Sequence, residues 1–197
     1  IIHRGVDSAE FPFDYSPTES WRKTWFFDNP QFVGKDLLCF PARITRWKGQ
    51  TDFINLMTKL SNLDTNCHGL IVGGASGRNI RFEKELRDHA HKSGIQNRIT
   101  FLGSRADVRE IMSVSKVVFN LSTHPEPFGR TMIEAMSLGI PVIAWNYGGA
   151  AESLAAQFPS GLVDPHNLEK LVETTLQVLR DPETRPTKNV FPLSNMQ

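Results

Sequence analysis

The sequence predicts an α/β fold: a Rossmann-like, doubly wound parallel sheet of about six strands with helices on both faces. Three observations carry this expectation. Short apolar runs alternate with helical patterns over most of the chain. The runs are short and mainly apolar, as strands buried on both faces are, where a half-solvated strand would alternate. Glycines stand where runs end and helices open. In such sheets the crossovers are right-handed, and ligands lie at the carboxyl ends of the strands, near the reversal in strand order. The loops after each strand are therefore the places to search.

Residues 1–35 hold Pro12, Pro17 and Pro30 among aromatics. They read as a linker and irregular segment packed on the domain, with one short helix around residues 20–26. Residues 36–183 form the domain proper. "LLCFPA" (37–42) is the first strand, and the next helix sets Phe53, Ile54, Leu56, Met57 and Leu60 at helical spacing. "HGLIVGG" (68–74) is a second strand, followed by a helix that closes at Gly94. "RITFLG" (98–103) and "KVVFNLS" (116–122) are the third and fourth, separated by the short helix "ADVREIMSVS". "RTMIEAMSLG" is a helix ended by Gly139, and "IPVIAW" is the fifth strand. "GGAAESLAAQ" opens another helix, and "GLVD" (161–164) is the sixth strand. The last helix, "NLEKLVETTLQVLR", puts Leu168, Leu171, Val172, Thr175 and Leu179 on one face. Residues 184–197 lose all periodicity and read as a tail.

Bulk properties exclude several classes. The net charge of +1 gives no footprint for nucleic acid or a membrane surface. No apolar run approaches the ~20 residues of a membrane span. The start, "IIHRGVD", has no basic-then-apolar organisation, so no secretory signal is expected, and without an initiator Met the chain is expected to be part of something longer. Cys39 and Cys67 sit in apolar neighbourhoods without zinc-site spacing. They are expected to be buried reduced thiols of a cytosolic protein.

The strand ends carry the chemistry. After the first strand, "ARITRWKGQ" sets Arg43 and Lys48 five apart, with Arg46 between and Gly49 behind. Fixed cations at a strand end can hold a diphosphate; a solvated basic turn is the blander alternative. "GGASGRN" after the second strand has neither G-x-G-x-x-G nor G-K-[ST], so it is neither a dinucleotide fingerprint nor a Walker loop. After the third, Gly103 and Ser104 can bring backbone close to a flat base, or make a plain turn with Asp107 as helix cap. After the fourth comes "HPEPFGRTMIEAMSLG". Gly129 lets the backbone approach a ligand, and the amides of Phe128, Gly129, Arg130 and Thr131 open a helix, a ready anion site. Glu134 lies just inside that helix, where the dipole alone mildly favours an acid. Nothing structural asks for the acid at Glu126. "NYGGAAE" repeats the pattern with Gly148, Gly149 and Glu152, where ordinary capping reads equally well.

Together these segments resemble the C-terminal, donor-binding domain of retaining glycosyltransferases of the GT-B fold, the glycosyl transferases group 1 (family 4) type. The likeness covers nearly the whole chain. "IIHRGVDSAEF" is similar to that family's I-x-N-G-V-D-x-x-x-F, with Arg4 where Asn is usual. "PARITRWKG" is similar to G-R-L-x-x-x-K-G, with Ala42 in place of the usual glycine. "LIVGG", "RITFLGSRADV", "EPFGRTMIEAMSLGIPVIAWNYGGAAE", "GLVDPHNLEKL" and "LRDPETR" follow in the family's order.

The resemblance implies a retaining hexosyltransferase of class EC 2.4, in which a nucleoside-diphosphate sugar gives its sugar to an acceptor hydroxyl. By that likeness Arg43 and Lys48 neutralise the diphosphate and Glu126 holds hydroxyls of the donor sugar. Amides at Phe128, Gly129 and Arg130, with Thr131 in support, cap sugar and phosphate. Glu134 takes the ribose hydroxyls, and Gly103 and Ser104 pass close to the base. Leu121 and Ser122 are second-line contacts, and Glu152 supports its loop. With two fixed cations and no D-x-D motif, donor binding is expected to be metal-independent, with no metal site. A UDP-sugar is favoured, with GDP or ADP behind it. A glycan or lipid-linked acceptor would be bound by an N-terminal domain that this chain lacks, so the isolated domain is expected to bind nucleotide and transfer little. Polysaccharide or lipopolysaccharide synthesis in a bacterium is the implied role, in the cytoplasm or at the inner face of its membrane, touching the membrane only peripherally. The alternative is a catalytically inactive sugar-nucleotide-binding module. A nicotinamide dehydrogenase fails on the missing fingerprint, and a sugar epimerase on the missing Y-x-x-x-K.

Overall fold

The computed structural model describes residues 6–125, 129–181 and 184–186. Its strands are β1 (Asp36–Pro41), β2 (Cys67–Val72), β3 (Ile99–Gly103), β4 (Val117–Asn120), β5 (Val142–Trp145) and β6 (Leu162–Val163). They form one sheet in the order β3-β2-β1-β4-β5-β6, and every pairing is parallel. This is the expected doubly wound sheet. Its helices are α1 (Glu19–Asp28), α2 (Gln50–Asn62), α3 (Asn79–Lys92), α4 (Val108–Ser113), α5 (Arg130–Ser137), α6 (Gly148–Gln157) and α7 (Leu168–Arg180).

The apolar runs of β1, β2 and β5 are buried because both sheet faces are covered, while β3 at the sheet edge is half-buried beyond Ile99. All six residues of β2 are buried, and β1 pairs with it from Asp36–Cys67 to Pro41–Val72. Phe53, Ile54, Leu56, Met57 and Leu60 of α2 are all buried, as their spacing predicts. Phe53 packs, tilted, between Phe40 of β1 and Phe119 of β4, at 5.1 and 5.3 Å between ring centroids. Burying such a ring stabilises the fold by about 1.5–3 kcal/mol. Helix α7 buries Leu171, Thr174, Thr175 and Val178. Its stripe is thus rotated slightly from the sequence reading, with Leu168, Val172 and Leu179 half-buried at its margin.

Several boundaries differ from the sequence reading. Strand β4 stops at Asn120 rather than 122, because the following residues turn to meet the loop after β1. Strand β2 stops at Val72, and Gly73 instead makes an isolated bridge to Gly103. The N-terminal helix spans Glu19–Asp28, and the Thr18 hydroxyl caps it by accepting from Trp21 N. Trp25 of that helix is buried against Phe32. Ahead of β1 the chain lies on α4: the Tyr15 hydroxyl donates to Glu110 and the Trp21 indole N–H to Asp107, each at 2.9 Å. Cys39 and Cys67 are buried and unbridged, and burial pushes the Cys39 thiol up to about 12. Among the described residues no helix is long and apolar enough to cross a membrane.

Candidate active site

The strand order reverses between β1 and β4, so the loops that leave these two strands meet at the sheet's carboxyl edge. Their contact is close. Gly49 has φ +89°, and a Cβ built there would stand 2.0 Å from the carbonyl oxygen of Leu121. Only glycine lets the two backbones approach this far. Beside it, Thr123 N donates to the Trp47 carbonyl at 2.8 Å, and the Thr123 hydroxyl lies 3.2 Å from the same oxygen. Lys48 therefore stands at the reversal. Its ammonium sits 4.3 Å from the Trp47 ring centroid. The buried Gln50 amide donates to the Arg43 carbonyl at 3.0 Å and ties the start of the loop to α2.

A second close approach forms the other side. Gly73 has φ +147°, with the Ala42 carbonyl oxygen 2.1 Å from where a Cβ would stand. Its N–H donates to the Gly103 carbonyl at 2.8 Å. A Cβ on Gly74 would lie 2.7 Å from the Ser104 hydroxyl. Between these loops opens a cleft of about 230 Å³, walled by Arg43, Gly73, Gly74, Ser104, Arg105 and Thr131 among others. Ala42 is another lining residue. It donates its N–H to Val72 at 2.9 Å, continuing the β1–β2 ladder, and its φ is not positive. The position therefore asks for no glycine.

Helix α5 starts at the cleft. Gly129 takes the left-handed conformation, φ 52°, at the N-cap, and its carbonyl accepts from Met132 and Ile133. Thr131 lines the cleft, while Glu134, one turn on, is only 8% exposed. Arg130 Nε donates to Glu134 Oε1 at 2.8 Å. Burial pushes the Glu134 carboxyl above the ordinary range, and the Arg130 guanidinium opposes the shift. Glu134 borders a neighbouring hollow of about 460 Å³, shared with Glu10, Trp21, Asp107, Arg109 and Glu110.

The structure thus brings Arg43, Ser104 and Thr131 to one cleft, with the Gly103 carbonyl bonded to Gly73 of its wall. Lys48 stands at the adjoining strand reversal, and Glu134 in the next hollow. Glu126 and Phe128 lie outside the described residues, as does Arg4. Leu121 and Ser122 are buried, and Glu152 is exposed on α6. Asp107 occupies the N-cap position of α4 without capping it. Arg105 instead grips its carboxylate with two 2.8 Å hydrogen bonds and, with the Trp21 indole, holds it below the usual range.

Two groupings at this edge went unread in the sequence. One is Trp47 with Thr123, 76 positions apart. The other is Asp52, which accepts from the Trp145 indole at 3.2 Å and lies 3.8 Å from the His166 ring nitrogen. A tryptophan set between Arg46 and Lys48 in a polar loop was the available signal for the first.

Comparison with known proteins agrees with this fold. The sequence model described as "Glycosyl transferases group 1" matches residues 22–188. The lipopolysaccharide core biosynthesis mannosyltransferase LpsB of Rhizobium meliloti is 29% identical over 152 residues, 77% of this chain and 42% of that protein. A D-inositol 3-phosphate glycosyltransferase of Mycobacteroides abscessus is 33% identical over 182 residues, 91% of this chain and 38% of that one. The chain thus spans less than half the length of these curated relatives. Among solved structures, Anabaena Alr3699/HepE in complex with UDP and glucose superposes with a TM-score of 0.81 at 27% identity, over 93% of this chain and 48% of that one. The C-terminal domain of the group 1 protein LpcC of Francisella tularensis gives 0.73 at 25% identity, over 91% and 90% of the two chains.

Proposed function

The chain belongs to the glycosyl transferases group 1 family, and from that premise we propose that it is the donor domain of a retaining hexosyltransferase. It binds a nucleoside-diphosphate sugar and presents the sugar to an acceptor hydroxyl. The observation that supports this reading is the meeting, at one strand reversal, of the Arg43–Lys48 loop, a glycine-walled cleft and the start of α5. In this reading Arg43 and Lys48 take the diphosphate, and the first amides of α5 add to its field. Ser104 and Gly103 pass along the base, and Glu134 accepts from the ribose hydroxyls. Glu126 and Phe128 complete the sugar side.

Transfer with retention proceeds on one face of the sugar. The C1–O bond to the diphosphate breaks as the acceptor oxygen bonds to C1, and the acceptor's proton passes to the departing phosphate oxygen. The protein's part is positioning, and stabilisation of charge that grows on the leaving group. Two fixed cations serve that charge without a metal. The HepE complex with UDP and glucose favours a UDP-sugar, while LpsB, a mannosyltransferase of lipopolysaccharide core synthesis, supports a role in bacterial surface polysaccharides. A glycan or lipid-linked acceptor would be held by further chain, at the cytoplasmic face of the membrane. The ordinary backbone at Ala42 weighs against an inactive module, since the departure from the family's glycine distorts nothing.

The test is calorimetric titration with UDP, GDP, ADP and NAD, with and without magnesium. One nucleoside diphosphate is expected to bind equally well in both conditions, and to lose affinity in Lys48→Ala and Glu134→Ala. Preference for NAD, or binding that requires magnesium, overturns the reading.

A further inference from the structure

We propose that Trp47 is a positioning residue for the cation loop: its indole face and its main-chain carbonyl hold Lys48 at the strand reversal, in register with the diphosphate. This rests on the donor-domain reading. Trp47 is half-buried at the carboxyl edge of the sheet, outside the apolar cluster between the layers. Its ring lies under the Lys48 ammonium at 4.3 Å and meets the His124 ring edge-on at 6.3 Å. Its carbonyl accepts from Thr123 N at 2.8 Å and is 3.2 Å from Thr123 Oγ1. One residue therefore joins the loop after β1 to the loop after β4, and touches the cation between them.

The chemistry suits the task. A lysine on a turn would lose several rotatable bonds' worth of freedom on meeting a phosphate. An aromatic face attracts the ammonium through the ring quadrupole and narrows those rotamers without neutralising the charge. The Thr123 clasp fixes the ring's own backbone, and Gly49, pressed on Leu121, prevents the loop from sliding. The field at the diphosphate is thereby preorganised.

The experiment compares the wild-type chain with Trp47→Leu, Trp47→Phe and Lys48→Ala by calorimetric titration. The probes are UDP, GDP and ADP, and the parent nucleoside of whichever binds tightest. The readout is the ratio of nucleoside Kd to diphosphate Kd, which isolates the phosphates' share of binding. In Trp47→Leu that ratio is expected to fall ~2- to 5-fold, with nucleoside affinity unchanged. Trp47→Phe is expected to restore most of it, and Trp47→Leu is expected to add nothing in the Lys48→Ala background. Thr123→Val, which removes only the hydroxyl, is expected to lower the ratio less and in the same direction, and it decides the matter if Trp47→Leu does not fold. An unchanged ratio, equal losses for nucleoside and diphosphate, or additivity with Lys48→Ala overturns the positioning role alone. A wild-type chain that binds none of the three diphosphates overturns the donor-domain reading, and this proposal with it.

Discussion

Replacing Gly49 by alanine tests whether the meeting of the two loops is built as described. The residue has φ +89°, where an L side chain is strained, at roughly 1–2 kcal/mol. The new methyl would also stand 2.0 Å from the Leu121 carbonyl oxygen, 2.7 Å from its carbonyl carbon and 2.8 Å from its Cβ. Two of these atoms are backbone, so no side-chain rotation relieves them. The loop or the end of β4 must move, at a further ~1–3 kcal/mol. Gly34 provides the control. It has φ +71° and nothing within 4 Å of a built Cβ, so Gly34→Ala carries the conformational term alone. For a domain of this size 1 kcal/mol shifts Tm by about 2–4 °C. Gly34→Ala is therefore expected to lower Tm by about 2–8 °C, and Gly49→Ala by about 4–20 °C. The second measurement is nucleotide titration. Gly49→Ala moves Lys48 and is expected to weaken diphosphate binding at temperatures where the chain stays folded, while Gly34→Ala leaves it unchanged. Equal Tm losses in the two variants, or full nucleotide affinity in Gly49→Ala, would refute the reasoning.

Four further outcomes are expected. On the donor-domain reading, Glu134→Gln removes the carboxylate that accepts from the ribose hydroxyls; hydrogen bonds to charged groups contribute about 1.5–3 kcal/mol, so nucleotide affinity should fall ~10-fold or more. Because burial raises the Glu134 carboxyl, wild-type affinity should decline on acidification at a higher pH than an ordinary glutamate would give, and a profile with no step that Glu134→Gln abolishes counts against its ribose role. His68, packed edge-on to Phe32 and hydrogen-bonded to Thr100, is held down to about 4, by burial first and then by Lys35 and Arg98. The folded chain then binds fewer protons than the unfolded one, so this contribution is complete above about pH 6.5 and falls away toward pH 4, by up to ~3 kcal/mol; urea titrations of His68→Gln should show a shallower loss over that window. In a chain that carries the acceptor-binding part, Lys48→Ala should reduce kcat more than donor affinity, and unchanged kcat would remove Lys48 from the reaction.

The layers of the fold were legible because burial on both faces leaves a strong mark. The five apolar positions of α2 read from spacing are all buried, and β1 and β2 are apolar but for Asp36 and His68. The switch-point rule then directed attention to the loops where the cleft lies. Less legible was whatever depends on contacts distant in sequence. Strand β4 ends early because Thr123 turns toward Trp47, and nothing in "KVVFNLS" records that partner. A cap at Asp107 is one of two readings of its turn, and its carboxylate is instead held by Arg105 and the Trp21 indole. The Arg130–Glu134 pair was open to a reading by i,i+4 spacing, yet only the fold shows that its acid end is buried and its basic end 81% exposed. Motifs marked the strand ends, and tertiary packing set each side chain's environment.

The same packing separates binding from turnover. One wall of the cleft is fixed by the approach of Gly73 to Ala42, the adjoining strand reversal by that of Gly49 to Leu121, and both by hydrogen bonds within the chain. A nucleotide should therefore meet preformed cations and amides and lose little affinity to reorganisation. Among the described residues the cleft measures about 230 Å³, less than the ~300–1,000 Å³ that encloses a typical small ligand. On the donor-domain reading, these residues grip one side of a nucleotide-sugar and leave the reacting carbon to be enclosed by other parts of the protein. Beside water the attraction of Arg43 and Lys48 for a departing phosphate is several-fold weaker than in an enclosed site. Charge that develops only in the transition state gains most from enclosure. A second wall that excludes water should thus raise kcat far more than it tightens nucleotide binding. Comparing diphosphate affinity and donor turnover with and without the remaining length found in the relatives measures that difference, and equal gains in both would place the rate-limiting deficit in these loops instead.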